Sequence, residues 1–284
     1  MSGVSKLESS DTPIVYLPYH PVFREKNQTP KLRVVFNASY KTSNSTSIND
    51  HMVTGPKLQA ELSVVLSQWR AYPFVFIADI AKMYRQILVE PRDRDYQPVL
   101  WRSKTTDPIV EYRLNTVTYG THPAPYSAQR VPKQLVGHEG EAYPRASIVL
   151  EKDTFVDDLL FGDFDERLAS RTRVEVTTLL KKAKLEPRKW ASNAPHLISD
   201  VDPANHGLAW DPSSPDAHGV KVLSIQWNPT KDIFQFSVKI DVPDTLSKRR
   251  VFLILAQLFD PLGWVAPPII KGKILMQHLW LNDV

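Results

Sequence analysis

Cysteine is absent from the 284 residues of this chain. Its absence excludes disulfide bonds, thiol catalysis, thiolate zinc sites and iron–sulfur clusters. Glycine is also scarce, with 10 residues against 23 prolines, and this ratio indicates stiff, extended connections. The sequence has no glycine-rich phosphate loop of the P-loop or dinucleotide-binding type, which argues against both of those nucleotide-binding classes.

Long apolar runs are lacking as well. The longest, around residues 251–258, is too short for the roughly 20 residues that a membrane-spanning helix needs. The N-terminus does not have the basic and then apolar order of a secretory signal. We therefore expect an intracellular protein without a membrane partner. A net charge of +4 permits a polyanionic partner but does not require one.

Hydrophobic periodicity predicts both helices and strands, and hence an α+β fold with a mixed sheet and helices packed on one face. Apolar residues at helical spacing predict a helix from Leu58 to Trp69, and a further helix is predicted to break near Pro132. The runs Ile14–Leu17 and Leu32–Phe36 predict a pair of strands. A linker rich in proline, serine and aspartate, residues 203–218, is the best candidate for a boundary.

The adjacent carboxylates Asp157 and Asp158 are the most informative feature, because they lie between two short apolar runs. One interpretation is a solvated hairpin tip, since aspartate is common in turns. The other is a cation site, because two neighbouring carboxylates in a rigid hairpin are costly unless a cation neutralises them. The pair alone leaves both interpretations open.

Asp79 adds a third carboxylate at the end of a second strongly apolar strand, Phe74–Ala78. If the two strands are neighbours in one sheet, Asp79 and Asp157 converge at one edge. Oxygen ligands of this kind suit magnesium, which takes one or two carboxylates together with substrate phosphates. Two such ions about 4 Å apart would activate a 3′-hydroxyl and stabilise a leaving pyrophosphate.

A series of motifs carries a resemblance to a known family. In chain order these are YLPYHPVF, KLRVVFNAS, FIADIAKMYRQILV, YRLNTVTYGTHPAPYSA, FVDDLLFG, LEPRKWASN, VLSIQWNP and DPLGWVAPPIIKGKILMQHLW. Together they resemble the reverse transcriptase of Pao/BEL-type LTR retrotransposons, over nearly the whole chain from about Tyr16 onwards.

The resemblance implies an α+β right-hand polymerase with partial fingers, a palm and the start of a thumb or connection. The fingers would comprise residues 1–52 and 90–121, the palm residues 53–89 and 122–241, and the thumb or connection start residues 242–284. It implies a nucleotidyltransferase that uses two Mg²⁺ ions, with Mn²⁺ as an alternative. Its partners would be an RNA or DNA template with its primer and deoxynucleoside triphosphates, in the cytoplasm, within a virus-like particle, or in the nucleus.

Site residues follow from the same motifs. The catalytic, metal-holding carboxylates would be Asp79, Asp157 and Asp158. The nucleotide-binding residues would be Arg33, which would hold the triphosphate with its guanidinium fork, together with Tyr84, Arg24, Val117, Tyr119 and Phe155. Tyr84 would pack under the sugar and exclude ribonucleotides. Leu223 and Ser224 would form the primer grip, and Lys189 and Trp190 part of the primer side of the palm. For Tyr84 and Trp190, a purely structural place in the core is the alternative.

Three positions depart from the family pattern, and all three catalytic carboxylates are kept. Phe155 replaces a tyrosine, Asn37 an aspartate and Ser224 a glycine. A second hypothesis is therefore a truncated or host-recruited, non-catalytic nucleic-acid-binding remnant of a retrotransposon polyprotein. An aspartic protease is excluded because Asp11-Thr12-Pro13 is the nearest approach to its motif. A two-metal nuclease of the ribonuclease H type would need a carboxylate set of its own, and after Asp241 the sequence offers only Asp244, Asp260 and Asp283.

Overall fold

The computed structural model describes residues 4–6, 15–24, 31–207, 219–223, 225–235, 247–256 and 260–282. The strands are β1 (Val4–Lys6), β2 (Tyr19–Arg24), β3 (Lys31–Phe36), β4 (Phe74–Ile80), β5 (Pro98–Trp101), β6 (Val110–Leu114), β7 (Thr154–Phe155), β8 (Asp158–Asp163), β9 (Pro187–Ser192), β10 (Val220–Val222), β11 (Ile225–Asn228) and β12 (Ile233–Gln235). The α-helices are α1 (Leu62–Arg70), α2 (Met83–Gln86), α3 (Ala124–Glu139), α4 (Pro144–Lys152), α5 (Glu166–Lys182), α6 (Lys248–Ala256) and α7 (Ala266–Leu281).

The chain divides into two units. The first contains residues 1–59, 80–157 and 174–187, and the second contains residues 60–79, 158–173 and 188–284. Helices and small sheets occur together in the described residues, which is a mixed α/β composition. The polymerase architecture and its fingers, palm and thumb boundaries stay predictions.

The first unit holds a three-stranded sheet of order β1-β6-β5 and the hairpin β2–β3, both antiparallel. A small core forms around Leu17, Ala38 and Val99, with Tyr19 and Phe36 packed against it. Leu17 is tied to β5 through a hydrogen bond of 2.8 Å from its amide to the carbonyl of Pro98. This core fixes the base of the β2–β3 hairpin.

The strand predicted at Ile14–Leu17 is wrong for its described residues. Residues 15–18 have no regular structure, and the partner of β3 is β2, with Val22 opposite Arg33. Leu17 is apolar because it is buried in the small core. The apolar run therefore marks a core anchor just before the strand.

Helix α3 continues through Pro132, where a break was predicted. Proline in a helix interior costs about 3 kcal/mol because it removes one hydrogen bond and crowds the preceding turn. Here Pro132 is buried, the residue four positions earlier is the small, buried Ala128, and α3 packs against α4. Burial of this face offsets the local cost.

The second unit is built on β4 and β8, which pair antiparallel from Phe74 opposite Asp163 to Asp79 opposite Asp158. They belong to a four-stranded sheet of order β7-β8-β4-β9. The continuous apolar run of β4 is buried, as expected for a strand covered on both faces. Helix α1 packs against β8, and its apolar residues recur at helical spacing.

Aromatic side chains form the centre of this second core. The rings of Phe76 and Phe161 stack at 5.2 Å, and Trp190 meets both edge-on. Trp69 donates from its indole nitrogen to the carbonyl of Phe76 at 3.0 Å and contacts Trp227 edge-on. These large, fully buried rings hold β4, β8, β9, β11 and α1 in fixed positions.

The C-terminal part holds the antiparallel strands β10, β11 and β12 and the packed pair of helices α6 and α7. The helix predicted over residues 246–259 is confirmed for Lys248–Ala256, and residues 246 and 257–259 lie outside the described residues. Most of the predicted linker, residues 208–218, also lies outside them. Within the described ranges, no helix has the length and apolar character needed to cross a bilayer.

Candidate active site

Asp79 and Asp158 lie directly opposite each other on the paired strands β4 and β8. The strands run antiparallel, so the end of β4 meets the start of β8 at the same end of the ladder. Both residues are partly buried. Like charges facing each other across a strand pair are destabilising unless a cation neutralises them. The sequence left open whether the two apolar strands are neighbours in one sheet, and the structure shows that they are.

Asp157 precedes Asp158 at the tip of the turn between β7 and β8. Its carbonyl accepts a hydrogen bond of 2.7 Å from the amide of Ile80, the residue after Asp79. The turn is unusual because Val156 has a φ of 57°. A β-branched residue rarely adopts this left-handed conformation. The peptide that presents Asp157 is therefore both anchored and strained.

Lys189 forms an ion pair with Asp79. Its Nζ lies 2.5 Å from Oδ2 of the carboxylate, and its side chain is 65% exposed while that of Asp79 is 22% exposed. Lys189 reaches Asp79 from strand β9, where its own φ of 56° is left-handed. An ammonium group thus neutralises the first of the three predicted metal-holding carboxylates.

The donor set at these strand ends consists of carboxylate oxygens only, which is the chemistry that Mg²⁺ and Mn²⁺ prefer. In the part of the chain that the structure describes, however, no three histidine, aspartate or glutamate side chains are close enough to hold one ion. Asp79 directs one oxygen to Lys189. The residues therefore fit a divalent cation by chemistry, and Asp79 would have to exchange Lys189 for it.

Tyr84 lies at the start of α2, in the same unit as Asp157. Burial raises the pKa of its hydroxyl, and the negative charge of Asp157 raises it further. The hydroxyl is therefore protonated at neutral pH and close enough to Asp157 to sense its charge. This position is compatible with both the sugar-sensing and the structural interpretation of Tyr84.

The residues predicted around the nucleotide lie on two connected elements of the first unit. Arg33 is exposed on β3, and its neighbour Val34 accepts a hydrogen bond at its carbonyl from the hydroxyl of Tyr119. Gly120 has a φ of 93°, and a side chain there would collide with the carbonyl of Phe36. The loop of Tyr119 is thereby held close against the strand that carries Arg33.

Of the other predicted nucleotide-binding residues, Val117 and Phe155 are less exposed to solvent than Arg33. Val117 is buried and its amide donates to the carbonyl of Ile87, so its side chain faces the core. Phe155 is partly buried in β7. Arg24 ends β2, and its side chain lies outside the described residues.

Asn49 is a positioning residue that the sequence reasoning missed. It is 3% exposed, and its amide group donates to the carbonyl of Gly120 at 3.0 Å and to the hydroxyl of Ser39 at 2.8 Å. Its carbonyl oxygen accepts from the amide of His122 at 2.8 Å. The only local sequence signal is the capping box of Ser47 and Asp50 around it, which predicts a short helix start and no long-range contact.

The predicted primer grip is described in part. Leu223 is a partly buried turn residue between β10 and β11 with a φ of 46°, and Ser224 lies outside the described residues. Trp190 is 2% exposed within the aromatic core. Its structural interpretation is therefore confirmed, whereas its neighbour Lys189 points to Asp79.

Comparison with protein families gives one finding. Residues 247–284 match the family described as "Pao retrotransposon-like RNaseH-like domain". The match supports a Pao retrotransposon origin, and the matched family is described as RNaseH-like. It does not extend to a reverse transcriptase, and it falls on the residues predicted as the start of a thumb or connection. No curated protein matches the chain.

Proposed function

We propose that this chain is the RNA-directed DNA polymerase domain of a retrotransposon polyprotein, which adds deoxynucleotides to the 3′-hydroxyl of a primer. The observation that carries the proposal is the pairing of Asp79 opposite Asp158, with Asp157 directly before Asp158 and anchored to Ile80. This juxtaposition of carboxylates at one end of a buried strand pair is what phosphoryl transfer with divalent cations needs.

Asp79, Asp157 and Asp158 would hold two Mg²⁺ ions, which when bound lower the barrier by activating the 3′-hydroxyl and stabilising the leaving pyrophosphate. The chain's own side chains then supply position and charge. Arg33, exposed on β3, offers a guanidinium fork for triphosphate oxygens. Tyr84, whose hydroxyl pKa is raised by burial and by the charge of Asp157, would place its ring where it leaves no space for a 2′-hydroxyl.

Primer extension on an RNA template with Mg²⁺ tests the proposal. We expect the wild-type protein to extend the primer and Asp157→Asn to lose extension by at least about 10³-fold. The melting temperature of this variant should be unchanged or higher, because one of several neighbouring negative charges is removed. A matched control is Asp163→Asn, which changes a carboxylate at the far end of β8, the strand that follows Asp157, where Asp163 faces Phe74.

Extension by Asp157→Asn at the wild-type rate would overturn the assignment of the carboxylates. Loss of extension in both variants, with lower melting temperatures, would show that the fold rather than the site had been damaged. Comparing the extension rates and melting temperatures of the two variants therefore distinguishes a catalytic effect from a loss of stability.

The second candidate function is a non-catalytic nucleic-acid-binding remnant. The ion pair between Lys189 and Asp79 favours it, because Asp79 is neutralised by the chain itself. In that case primer–template should bind with an affinity whose logarithm falls linearly with the logarithm of the salt concentration, while no product forms. A salt-independent affinity would argue for a protein partner instead.

A further inference from the structure

The backbone at Val156 is held from outside its own turn. With a φ of 57°, Val156 lies in the left-handed region that glycine adopts freely and β-branched residues avoid. Such a conformation persists only where surrounding contacts impose it. The contact that meets this requirement comes from Gln59, which is separated from Val156 by 97 residues.

The side-chain amide of Gln59 bonds both flanks of Phe155. Its Oε1 accepts a hydrogen bond of 3.0 Å from the amide of Val156, and its Nε2 donates a hydrogen bond of 3.1 Å to the carbonyl of Thr154. One donor and one acceptor of a single partly buried side chain are thus matched to one acceptor and one donor of the turn. Packing alone would not require this match.

Two further bonds fix the ends of the same segment. The hydroxyl of Thr154 donates to the carbonyl of Val149 in α4 at 3.0 Å, and the carbonyl of Asp157 accepts from Ile80 at 2.7 Å. Between these anchors, the peptide at Val156 could relax to a negative φ if Gln59 released it. Relaxation would rotate the peptide that leads into Asp157 and Asp158.

We propose that Gln59 is a positioning residue that holds Val156 in the left-handed conformation and thereby sets the direction of the Asp157–Asp158 pair. This inference rests on the proposed polymerase function for its catalytic consequence. Its structural part concerns the turn alone, so the two parts are tested by different measurements.

The first measurement is amide hydrogen exchange in the segment Thr154–Leu160. We expect Gln59→Met, which keeps the length of the side chain and removes both hydrogen bonds, to speed exchange of the Val156 amide at least tenfold. Exchange within β4 should stay unchanged. The matched control is Gln68→Met, since Gln68 is an exposed glutamine of α1. Unchanged exchange at Val156 would overturn the proposal whether or not the protein extends primers.

The second measurement is rescue. In primer extension, Gln59→Met should lower kcat at least tenfold, because the Asp157–Asp158 pair changes direction when the turn is released. Adding Val156→Gly should recover most of the loss, since glycine adopts this φ without steric cost. A glutamine that served only packing would not be rescued by a change at Val156, and failure of the rescue would overturn the proposal.

A third variant guards against a damaged fold. Gln59→Glu keeps an acceptor for the Val156 amide and places a carboxylate oxygen against the Thr154 carbonyl, so an intermediate loss of primer extension is expected.

If wild-type protein extends no primer while Gln59→Met still speeds exchange at Val156, the proposed function fails and the role of Gln59 in the turn stands. If wild-type protein is active and Gln59→Met matches it in both measurements, the role of Gln59 fails.

Discussion

Lys189 and Asp79 form an ion pair across β9 and β4, with 2.5 Å between Nζ and Oδ2. The two residues are 110 positions apart in the sequence. Because Lys189 is largely exposed, the pair adds little to folding stability, about 1 kcal/mol or less. Its consequence concerns the carboxylate: a cation that binds Asp79 must displace the ammonium group.

Replacing Lys189 should therefore strengthen metal binding. We expect Lys189→Met to tighten Mn²⁺ binding up to about fivefold, the equivalent of about 1 kcal/mol, as measured by isothermal titration calorimetry. Lys182→Met is the control for net charge, since Lys182 pairs with Glu139 at 3.6 Å. Equal affinities in the two variants would show that the Asp79 ion pair does not compete with the metal.

Tyr84 should set sugar selectivity if the proposed function holds. We expect Tyr84→Ala to raise the use of ribonucleotides relative to deoxynucleotides about 5- to 150-fold, the equivalent of about 1–3 kcal/mol, because the ring would be the barrier at C2′. Single-nucleotide incorporation assays measure the ratio. Tyr84→Phe keeps the ring and should keep the wild-type preference. An unchanged ratio in Tyr84→Ala would assign the ring to the core.

Phe155 differs from the tyrosine of the resembled family by one hydroxyl. That group is worth about 0.5–1.5 kcal/mol as a hydrogen bond, which is at most about one decade in rate. Phe155→Tyr should therefore change extension rate or fidelity about tenfold or less. A gain of several decades in steady-state kinetics would mean that the hydroxyl takes part in assembling the site.

Asp153 should make stability depend on pH. Burial raises the pKa of its carboxyl to about 6, and the charge of Lys152 acts in the opposite direction. The folded protein therefore favours the protonated form. This preference contributes folding stability that is fully present below about pH 4 and is lost as the pH rises through about 6. The unfolding free energy of Asp153→Asn, relative to that of wild type, should therefore rise by up to about 3 kcal/mol between pH 4 and pH 7.

Urea unfolding of both proteins at pH 4.5 and pH 7.5 measures this difference. Asparagine keeps the shape of the side chain and the backbone bond from residue 153 to the carbonyl of Val149, so the comparison isolates the charge. A difference in unfolding free energy that is the same at the two pH values would contradict the prediction.

Three residues donate four hydrogen bonds to the carboxylate of Asp232, and two of these residues, Arg70 and Asn193, are distant in the sequence. Arg70 donates to both carboxylate oxygens, at 2.6 and 3.0 Å, Trp227 donates from its indole at 3.0 Å, and Asn193 donates at 3.3 Å. Burial acts to raise the pKa of Asp232, and these hydrogen bonds lower it overall. We expect Asp232→Asn to destabilise the protein by about 2–3 kcal/mol in chemical denaturation, because charged hydrogen bonds are lost. The losses in unfolding free energy of Asp232→Asn and Arg70→Met should not be additive in the double variant. If they simply add, the ion pair is not the cause of the loss.

Part of the fold could be predicted from the sequence because apolar spacing reports burial. The continuous run of β4 and the helical spacing of α1 each describe one element packed on one core. The β4 prediction is confirmed, and the helix predicted from Leu58 to Trp69 is confirmed from Leu62 onwards. The same patterns bracket Asp79 and Asp157, but the pairing of the two carboxylate-bearing strands was only a condition of the sequence argument, and the structure supplies it.

Partners at long range could not be predicted in this way. The apolar run before β2 marked a core anchor around Leu17, and packing carried α3 through Pro132. Hydrophobic periodicity indicates whether a position is buried. It does not indicate which residues of distant segments lie opposite each other.

The chemistry at the strand ends was determined by the sequence, which supplies Asp79, Asp157 and Asp158 in order. The tertiary structure decided what surrounds them: the ammonium of Lys189 on Asp79 and the amide of Gln59 at the Val156 turn. Both contacts join polar side chains to groups about 100 residues away, and a polar residue on an irregular or left-handed stretch leaves no periodic signal. Only the folded backbone, which fixes distance and direction, turns these residues into partners.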